Sequence, residues 1–134
     1  MTRRKILKKL KLNYDCSKKV NSSSDLIMNL NNNKYHVLII KVSTNTLVTI
    51  NSKHMWKLKR GKINGIRFKT VDSILLNLKG FMELTNKIII VTNKPYKVLK
   101  AINESEVEDV SEKSSVYDFK LIHDLTKIND ILKA

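Results

Sequence analysis

The sequence predicts a single small α/β domain with a mixed central sheet and flanking helices. The chain has 134 residues, of which 42% are hydrophobic and 28% charged, a composition typical of one globular domain. Segments rich in β-branched residues, above all 25–50, are followed by segments with apolar residues at helical spacing. Residues 1–134 are therefore expected to form one domain, with a basic N-terminal helix or arm over 1–20 and an acidic connection over 104–116.

The N-terminal residues 3–12 combine apolar and cationic side chains. Ile6 and Leu10 are one helical turn apart, Leu7 is beside them, and cations occupy the remaining face, so a short amphipathic helix or basic arm is predicted. Three uses remain open: an arm that contacts phosphates, a first helix docked by its apolar side chains, or a segment that binds a membrane surface or directs targeting. Residues 13–24 lack periodicity and predict a loop.

The strand predictions follow from β-branched composition and turn-forming residues. Residues 25–30 form either a strand or a helical turn capped by Ser24 or Asp25, and the three asparagines at 31–33 form a turn. Residues 35–42 and 46–50 are predicted to pair as a hairpin. Residues 87–92 are apolar without alternation, which predicts a central parallel strand covered on both faces.

Helices are predicted where apolar residues recur every three or four positions. This spacing occurs over 70–84, with Thr70 as the N-cap, and the segment 95–103 begins a second helix near Pro95. Residues 124–133 predict a short final helix, and either 107–110 or 119–122 returns to the sheet as a strand.

The charge is unevenly distributed along the chain. The net charge is +14, yet residues 1–100 hold 22 Lys/Arg and four acids, whereas 101–134 hold four Lys and eight acids. No carboxylate occurs between Asp25 and Asp72. Because neutralising phosphates releases counterions and favours binding, such a basic body predicts a polyanionic partner, DNA or RNA, although a lysine-rich codon bias also raises charge.

The most basic interior stretch is 53–69, in which cations alternate with His54, Trp56 and Phe68. Cations can bind phosphates and rings can stack on bases, but a large aromatic such as Trp56 more often packs in a core. The cations are therefore the stronger candidates. Together with the N-terminal segment, the predicted nucleic-acid contacts are Arg3, Arg4, Lys5, Lys8, Lys53, Lys57, Lys59, Arg60, Lys62, Arg67 and Lys69.

Several kinds of site are excluded or disfavoured by the sequence. Cys16 is the single cysteine, and the three histidines are scattered, so neither a disulfide nor a zinc site is expected. No apolar run approaches the roughly 20 residues of a membrane span, and no apolar segment of a secretory signal follows the basic N-terminus. We therefore expect an intracellular protein without membrane partners. The acidic residues 104–112 are expected to be a solvated connection rather than a metal site.

One arrangement of residues is a candidate for a catalytic site. Asp25-Leu-Ile is followed by a turn and then by Leu38-Ile-Ile-Lys41, which resembles the core of the PD-(D/E)xK, or restriction-endonuclease-like, nuclease family. In that family an aspartate and an acid-x-lysine triplet on the next strand hold a divalent metal, and the lysine activates water. The resemblance implies Asp25 and Lys41 as catalytic residues and Mg²⁺ as the cofactor.

The chain departs from that pattern at Ile39, where the family has an acid. A single carboxylate binds a hard cation poorly, and a replacement acid would have to come from Asp15, Asp72 or Glu83. The function expected from the sequence is therefore non-catalytic nucleic-acid binding without a cofactor. The alternatives are a metal-dependent endonuclease and a module that binds another protein through its basic body or acidic tail.

Overall fold

A computed structural model describes residues 2–17 and 24–133. The order of elements is α1 (Arg3–Asn13), β1 (Asp15–Ser17), β2 (Leu26–Leu30), β3 (Asn33–Lys41), β4 (Thr46–Ile50), β5 (Met55–Asn64), β6 (Arg67–Asn77), α2 (Lys79–Met82), β7 (Lys87–Thr92), β8 (Lys97–Ala101), β9 (Val107–Asp109), β10 (Ser115–Val116), β11 (Phe119–Ile122), a 3-10 turn (Leu125–Lys127) and α3 (Ile128–Lys133).

The described strands form two mixed sheets. The first has the order β1-β2-β3-β7-β11-β10, and the second has the order β6-β5-β4-β8-β9. Parallel pairs join β3 to β7, β7 to β11 and β4 to β8, and the other pairs are antiparallel. The expectation of mixed pairing is thus confirmed, but the fold is richer in strands than predicted and has two sheets rather than one.

The first sheet is buried on both faces. One face packs on α1 and α3 through a cluster that includes Ile6, Leu10, Ile39, Ile88 and Leu132. The other face packs against the second sheet and α2 through a second cluster, which contains Val48, Trp56, Phe81, Ile89, Val98 and Phe119. The result is a layer of helices, a layer of six strands and a layer of five strands.

Two neighbouring strands pass together from the first sheet to the second. β3 continues into β4, and its parallel neighbour β7 continues into β8, so the parallel pairing is kept on both sides of the crossing. Backbone hydrogen bonds span the gap, from Val42 N to Thr92 O, from Asn93 N to Val42 O and from Tyr96 N to Thr46 O. This crossing fixes the second sheet to the centre of the first.

Three sequence predictions are wrong. Residues 70–77 of the predicted 70–84 helix belong to β6, and only Lys79–Met82 is helical. The predicted helix at 95–103 contains β8 instead, because residues 97–100 pair with β4. Residues 35–42 and 46–50 do not pair with each other, because β3 pairs with β2 and β7 whereas β4 pairs with β5 and β8.

Other predictions are confirmed. β7 is the central strand, parallel to both neighbours, and all of its six residues are buried. Residues 25–30 contain a strand, β2, and Asn31 and Asn32 form the turn to β3 with φ of 49° and 67°. Phe119–Ile122 is the returning strand, and the C-terminal helix lies within 124–133.

Two predicted loops contain strands. The predicted loop 13–24 includes β1, and its residues 18–23 lie outside the described residues. The acidic connection 104–116 includes β9, which pairs with β8, and β10, which pairs with β11. Short strands without an apolar run give no composition signal of their own, because their neighbours in the sheet determine their pairing.

Candidate nucleic-acid interface

The basic stretch 53–69 lies mostly on a β-hairpin that extends beyond the second sheet. β5 pairs with β4 only as far as Arg60, opposite Thr46, and with β6 as far as Asn64, opposite Arg67. In the described part of the chain, the strand pairing of residues 62–69 is therefore confined to the hairpin itself. Four residues beyond Arg60 extend the ribbon by about 13 Å. We call residues 61–70 the arm.

The arm has a cationic face. Lys62 lies directly opposite Lys69, and Asn64 lies directly opposite Arg67, two positions closer to the turn. Residues two apart on a strand share a face, as do directly opposed residues, so three cations and one amide project from the same side. Like charges directly opposite each other destabilise a sheet, so the pair costs folding free energy unless an anion neutralises it.

The turn and base of the arm depend on two glycines. Gly65 has φ of +64°, and the two-residue turn Gly65-Ile66 joins Asn64 to Arg67. At the base, a β-bulge lies between Arg60 and Gly61, where a Cβ would be 2.2 Å from Lys69 O and 2.8 Å from the Phe68 ring. Only glycine allows this close approach, which holds the two strands of the arm together.

Aromatic packing anchors the arm to the sheet. The Phe68 ring lies over Gly61 and stacks on Tyr96, with ring centroids 5.3 Å apart. Lys97 Nζ lies 5.5 Å from the centroid of the Tyr96 ring. Tyr96 lies beside the crossing between the sheets, so the arm is supported at its base while its tip extends into solvent.

Ile66 is the most exposed apolar side chain at the tip, with 97% of its surface accessible. Ile63 is also exposed. The sequence analysis identified the arm's cations but not its apolar tip or Asn64. The dipeptide Asn64-Gly65, flanked by strand-forming residues, is a strong hairpin signal that would have located the turn.

A cleft of about 590 Å³ opens where the arm leaves the sheet. It is formed by the carboxyl ends of β3 and β7 on one side and by the base of the hairpin on the other, and its polar lining includes Lys41, Ser43, Arg60, Asp72, Ser73 and Asn93. The structure thus places Lys41, predicted as a catalytic candidate, and Arg60, at the base of the arm, on the lining of one cleft.

Several predicted phosphate contacts are already paired with carboxylates. Arg60 Nη2 donates to Asp72 Oδ2 at 2.5 Å, and this hydrogen bond raises the pKa of the Arg60 guanidinium. Lys53 Nζ lies 3.0 Å from Asp118 Oδ2. Lys57 and Lys59 are half-buried on the body of the sheet. These four cations are less available to phosphates than Lys62, Arg67 and Lys69, for which the described residues provide no ion-pair partner.

Asp118 also binds the buried Lys87. Lys87 Nζ donates to Asp118 Oδ2 at 2.8 Å, to Leu84 O at 2.8 Å and to Met82 O at 3.2 Å. Partial burial raises the pKa of Asp118, but hydrogen bonds from Lys87 and Lys53 lower it more, so the carboxyl stays ionised. This junction has a structural role, because it joins α2, β7 and the loop before β11.

The predicted N-terminal contacts lie on α1. Ile6 and Leu10 are buried against the first sheet, and the cations Arg3, Arg4, Lys5 and Lys8 are exposed. The helix begins after Thr2, whose side chain accepts a hydrogen bond from Lys5 N at 3.2 Å. α1 is therefore a docked helix with a solvated cationic face.

The catalytic candidates do not form a carboxylate cluster. Asp25 Oδ2 accepts a hydrogen bond from Ile39 N at 2.7 Å, and Arg3 lies 3.8 Å from Asp25 Oδ1 while donating to Ile39 O at 3.0 Å. Asp25 thus binds the backbone of the residue that occupies the family's acid position. Among residues 2–17 and 24–133, no group of three or more His, Cys, Asp and Glu could hold a metal ion.

Two other side chains singled out by the sequence, Trp56 and Cys16, are fully and partly buried. Trp56 is fully buried, and its Nε1 donates to Lys53 O at 3.2 Å, so its predicted place in the core is confirmed. Burial, with a contribution from Asp15, raises the pKa of the Cys16 thiol and disfavours the thiolate. In the described part of the chain, no helix is both long and apolar enough to span a membrane.

Comparison of the chain with known protein families, characterised proteins and solved structures found no match.

Proposed function

We propose that the protein binds nucleic acid through phosphate contacts made mainly by the arm. The observation that carries the proposal is the cationic face of Lys62, Arg67 and Lys69 on a projecting ribbon, where the described residues supply no carboxylate partner. A folded domain that only needed solubility could separate such charges, because opposed cations weaken the ladder. A bound phosphate removes that repulsion and releases counterions.

A second group of cations can extend the contact. Arg3 contacts the backbone of Ile39, and Lys41, two residues further along β3, lines the cleft beside Arg60. Arg60 is two residues from Lys62 at the start of the arm. Because Arg3 and Arg60 are paired with Asp25 and Asp72, it is Lys41 that adds positive charge beside the base of the arm, where a phosphate backbone can extend its contact.

The salt dependence of binding tests the proposal. A triple variant, Lys62→Ala, Arg67→Ala and Lys69→Ala, should reduce the slope of log K against log salt by about 2 to 3, since each of the two or three lost phosphate contacts contributes about 0.9 on B-form DNA. The matched control is Lys11→Ala, Lys34→Ala and Lys79→Ala, which removes the same charge from three exposed lysines elsewhere. Equal loss in both variants would show that net charge, rather than the arm, governs affinity.

Cleavage and binding measurements with the same nucleic acids test the two other functions predicted from the sequence. Addition of Mg²⁺ or Mn²⁺ tests the nuclease: cleavage that disappears in both Asp25→Ala and Lys41→Ala would support it, and cleavage that persists in both would indicate contamination. Absence of binding to DNA and RNA at low salt would favour a protein-binding module. Size-exclusion chromatography with and without nuclease treatment would then test whether a protein partner co-elutes.

A further inference from the structure

We infer that the arm enters the major groove of double-stranded B-form DNA, where Asn64, Ile66 and Arg67 contact base edges and Lys62 and Lys69 contact the flanking phosphates. The inference rests on the proposed function and specifies its ligand. The inference also goes beyond the proposed function. It assigns recognition of the DNA sequence to the tip of the arm, whereas the cations of the arm alone would bind any polyanion.

The width of the arm selects the groove. Paired strands lie about 4.8 Å apart, and a two-stranded ribbon fits the undeformed major groove of B-form DNA, about 12 Å wide, whereas the minor groove, about 6 Å wide, must be widened to admit it. The major groove of A-form RNA is deep and too narrow for side chains to read. A projecting ribbon with a free tip therefore fits duplex DNA best.

The spacing of polar residues along the arm matches the depth of that groove. The Lys62–Lys69 pair lies two positions behind the Asn64–Arg67 pair on the same face. Two strand residues span about 7 Å, and the major groove is about 8.5 Å deep. When the tip reaches the base edges, the two lysines therefore lie at the level of the phosphates.

The chemistry of the tip suits base edges. An arginine can form two hydrogen bonds with guanine O6 and N7, an asparagine can bind adenine N6 and N7, and an apolar side chain can contact the thymine methyl group. Arg67, Asn64 and Ile66 provide these three groups around one turn. Ile66 is almost fully exposed, so its side chain contributes little to the packing of the free protein.

Binding of single strands by base stacking has less support on the arm. Phe68 is the arm's aromatic residue, and its ring already lies against Gly61 and Tyr96. Trp56 at the root of the hairpin is fully buried. Stacking platforms for single strands need exposed ring faces, which neither residue provides.

The test uses a mixed-sequence DNA duplex of about two helical turns and base analogues that change one groove at a time. Replacing guanine by 7-deazaguanine removes only a major-groove acceptor, and should weaken binding at least about fivefold. Replacing guanine by inosine removes only the minor-groove amino group and should leave affinity unchanged. Replacing thymine by uracil removes one methyl group per base and should weaken binding roughly fourfold.

Two variants connect these effects to the arm. Ile66→Ala should bind the thymine duplex as weakly as the wild type binds the uracil duplex, and should no longer distinguish the two. Arg67→Ala leaves no donor at this position for guanine N7, so the variant should bind the guanine and the 7-deazaguanine duplexes equally. Both positions are exposed, and circular dichroism would confirm that the variants fold.

The outcomes separate this inference from the proposed function. Equal or tighter binding of single-stranded DNA or RNA of the same sequence would overturn the inference and leave phosphate binding intact. So would full affinity for the 7-deazaguanine and uracil duplexes. Failure to bind duplex DNA, single-stranded DNA and RNA at low salt would overturn the proposed function as well.

Discussion

Replacing Lys69 by glutamate should stabilise the protein and weaken its binding to nucleic acid at the same time. The substitution converts the like-charged pair with Lys62 into an oppositely charged pair. At a separation of about 5 Å in water each such interaction is worth about 0.8 kcal/mol, and physiological salt reduces it by about half. The change of sign is therefore worth about 0.8 kcal/mol in favour of the folded state.

This free energy predicts a measurable shift in melting temperature. For a chain of 134 residues, an unfolding entropy of about 2.1 cal/mol/K per residue gives a rise of about 3 °C for the Lys69→Glu variant. The shift should be larger at low ionic strength, because less of the interaction is screened. Circular dichroism melts at two salt concentrations would measure both effects.

Binding should change in the opposite direction. The variant loses one phosphate contact and adds a repulsive charge, so affinity for DNA should fall roughly ten- to hundredfold near 0.1 M salt, and the salt slope should fall by about 1 to 2. Fluorescence anisotropy titrations over a range of KCl concentrations would measure both. The control is Lys79→Glu, which has the same net charge but lies at the other end of β6 from the arm.

The opposite signs distinguish binding from edge protection. A charged side chain on an edge strand also discourages pairing between molecules, and glutamate would provide that protection as well as lysine does. If the Lys69→Glu variant were more stable and bound DNA as tightly as the wild type, the arm's cations would serve only as edge protection. A lower melting temperature would refute the estimate of cross-strand repulsion.

Two further predictions concern the body of the fold. Lys87→Met should lower the free energy of unfolding by about 2–4 kcal/mol, because it removes the donor to the buried Met82 carbonyl and to the partly buried Leu84 carbonyl. Lys53→Ala at the exposed side of the same junction should cost less than about 1 kcal/mol. Urea titrations of both variants would compare them, and equal costs would contradict the assigned role of Lys87. Burial lowers the pKa of His123 despite the opposing charges of Glu112 and Asp124. The unfolded chain therefore binds more protons than the folded one below about pH 6.5, so stability should fall as the pH drops through that value, and His123→Gln should reduce this slope.

The sequence was sufficient to predict the elements whose burial is reflected in the number and spacing of their apolar residues. β7 is apolar at every position from Ile88 to Val91, and such a run indicates burial on both faces wherever the strand lies in the sheet. The helical spacing of Ile6 and Leu10 likewise reflects one buried stripe. In both cases the pattern of apolar residues within a short segment indicates which side chains of that segment are buried.

Strand β6 could not be predicted in this way, because most of its apolar residues are not buried. Val71, Ile74 and Leu75 have helical spacing, but each is exposed on β6. Periodicity locates a core-facing surface and gives no information where both faces of a ribbon contact solvent. The turn chemistry of Asn64 and Gly65 determined the structure instead.

The availability of each cation depended on residues far away in the sequence. Lys53 is paired with Asp118 through a contact that spans 65 residues, and Arg60 is paired with Asp72 across the hairpin. A count of charged residues in the sequence cannot distinguish Lys53 and Arg60, which are paired with carboxylates, from Lys62. The three-dimensional structure is needed to identify which cations are neutralised by a carboxylate and which can bind an anion.

The joint passage of β3 and β7 between the sheets has a consequence for how the chain folds. His36 pairs with Lys87 and Ile50 pairs with Lys100, so each parallel ladder closes a loop of about 50 residues. Contacts of such long range form slowly, whereas the β5–β6 hairpin lies inside that loop and pairs locally. The arm can therefore form before the sheets that support it. Once formed, it shortens the flexible chain between the two strands of each parallel pair, β3–β7 and β4–β8.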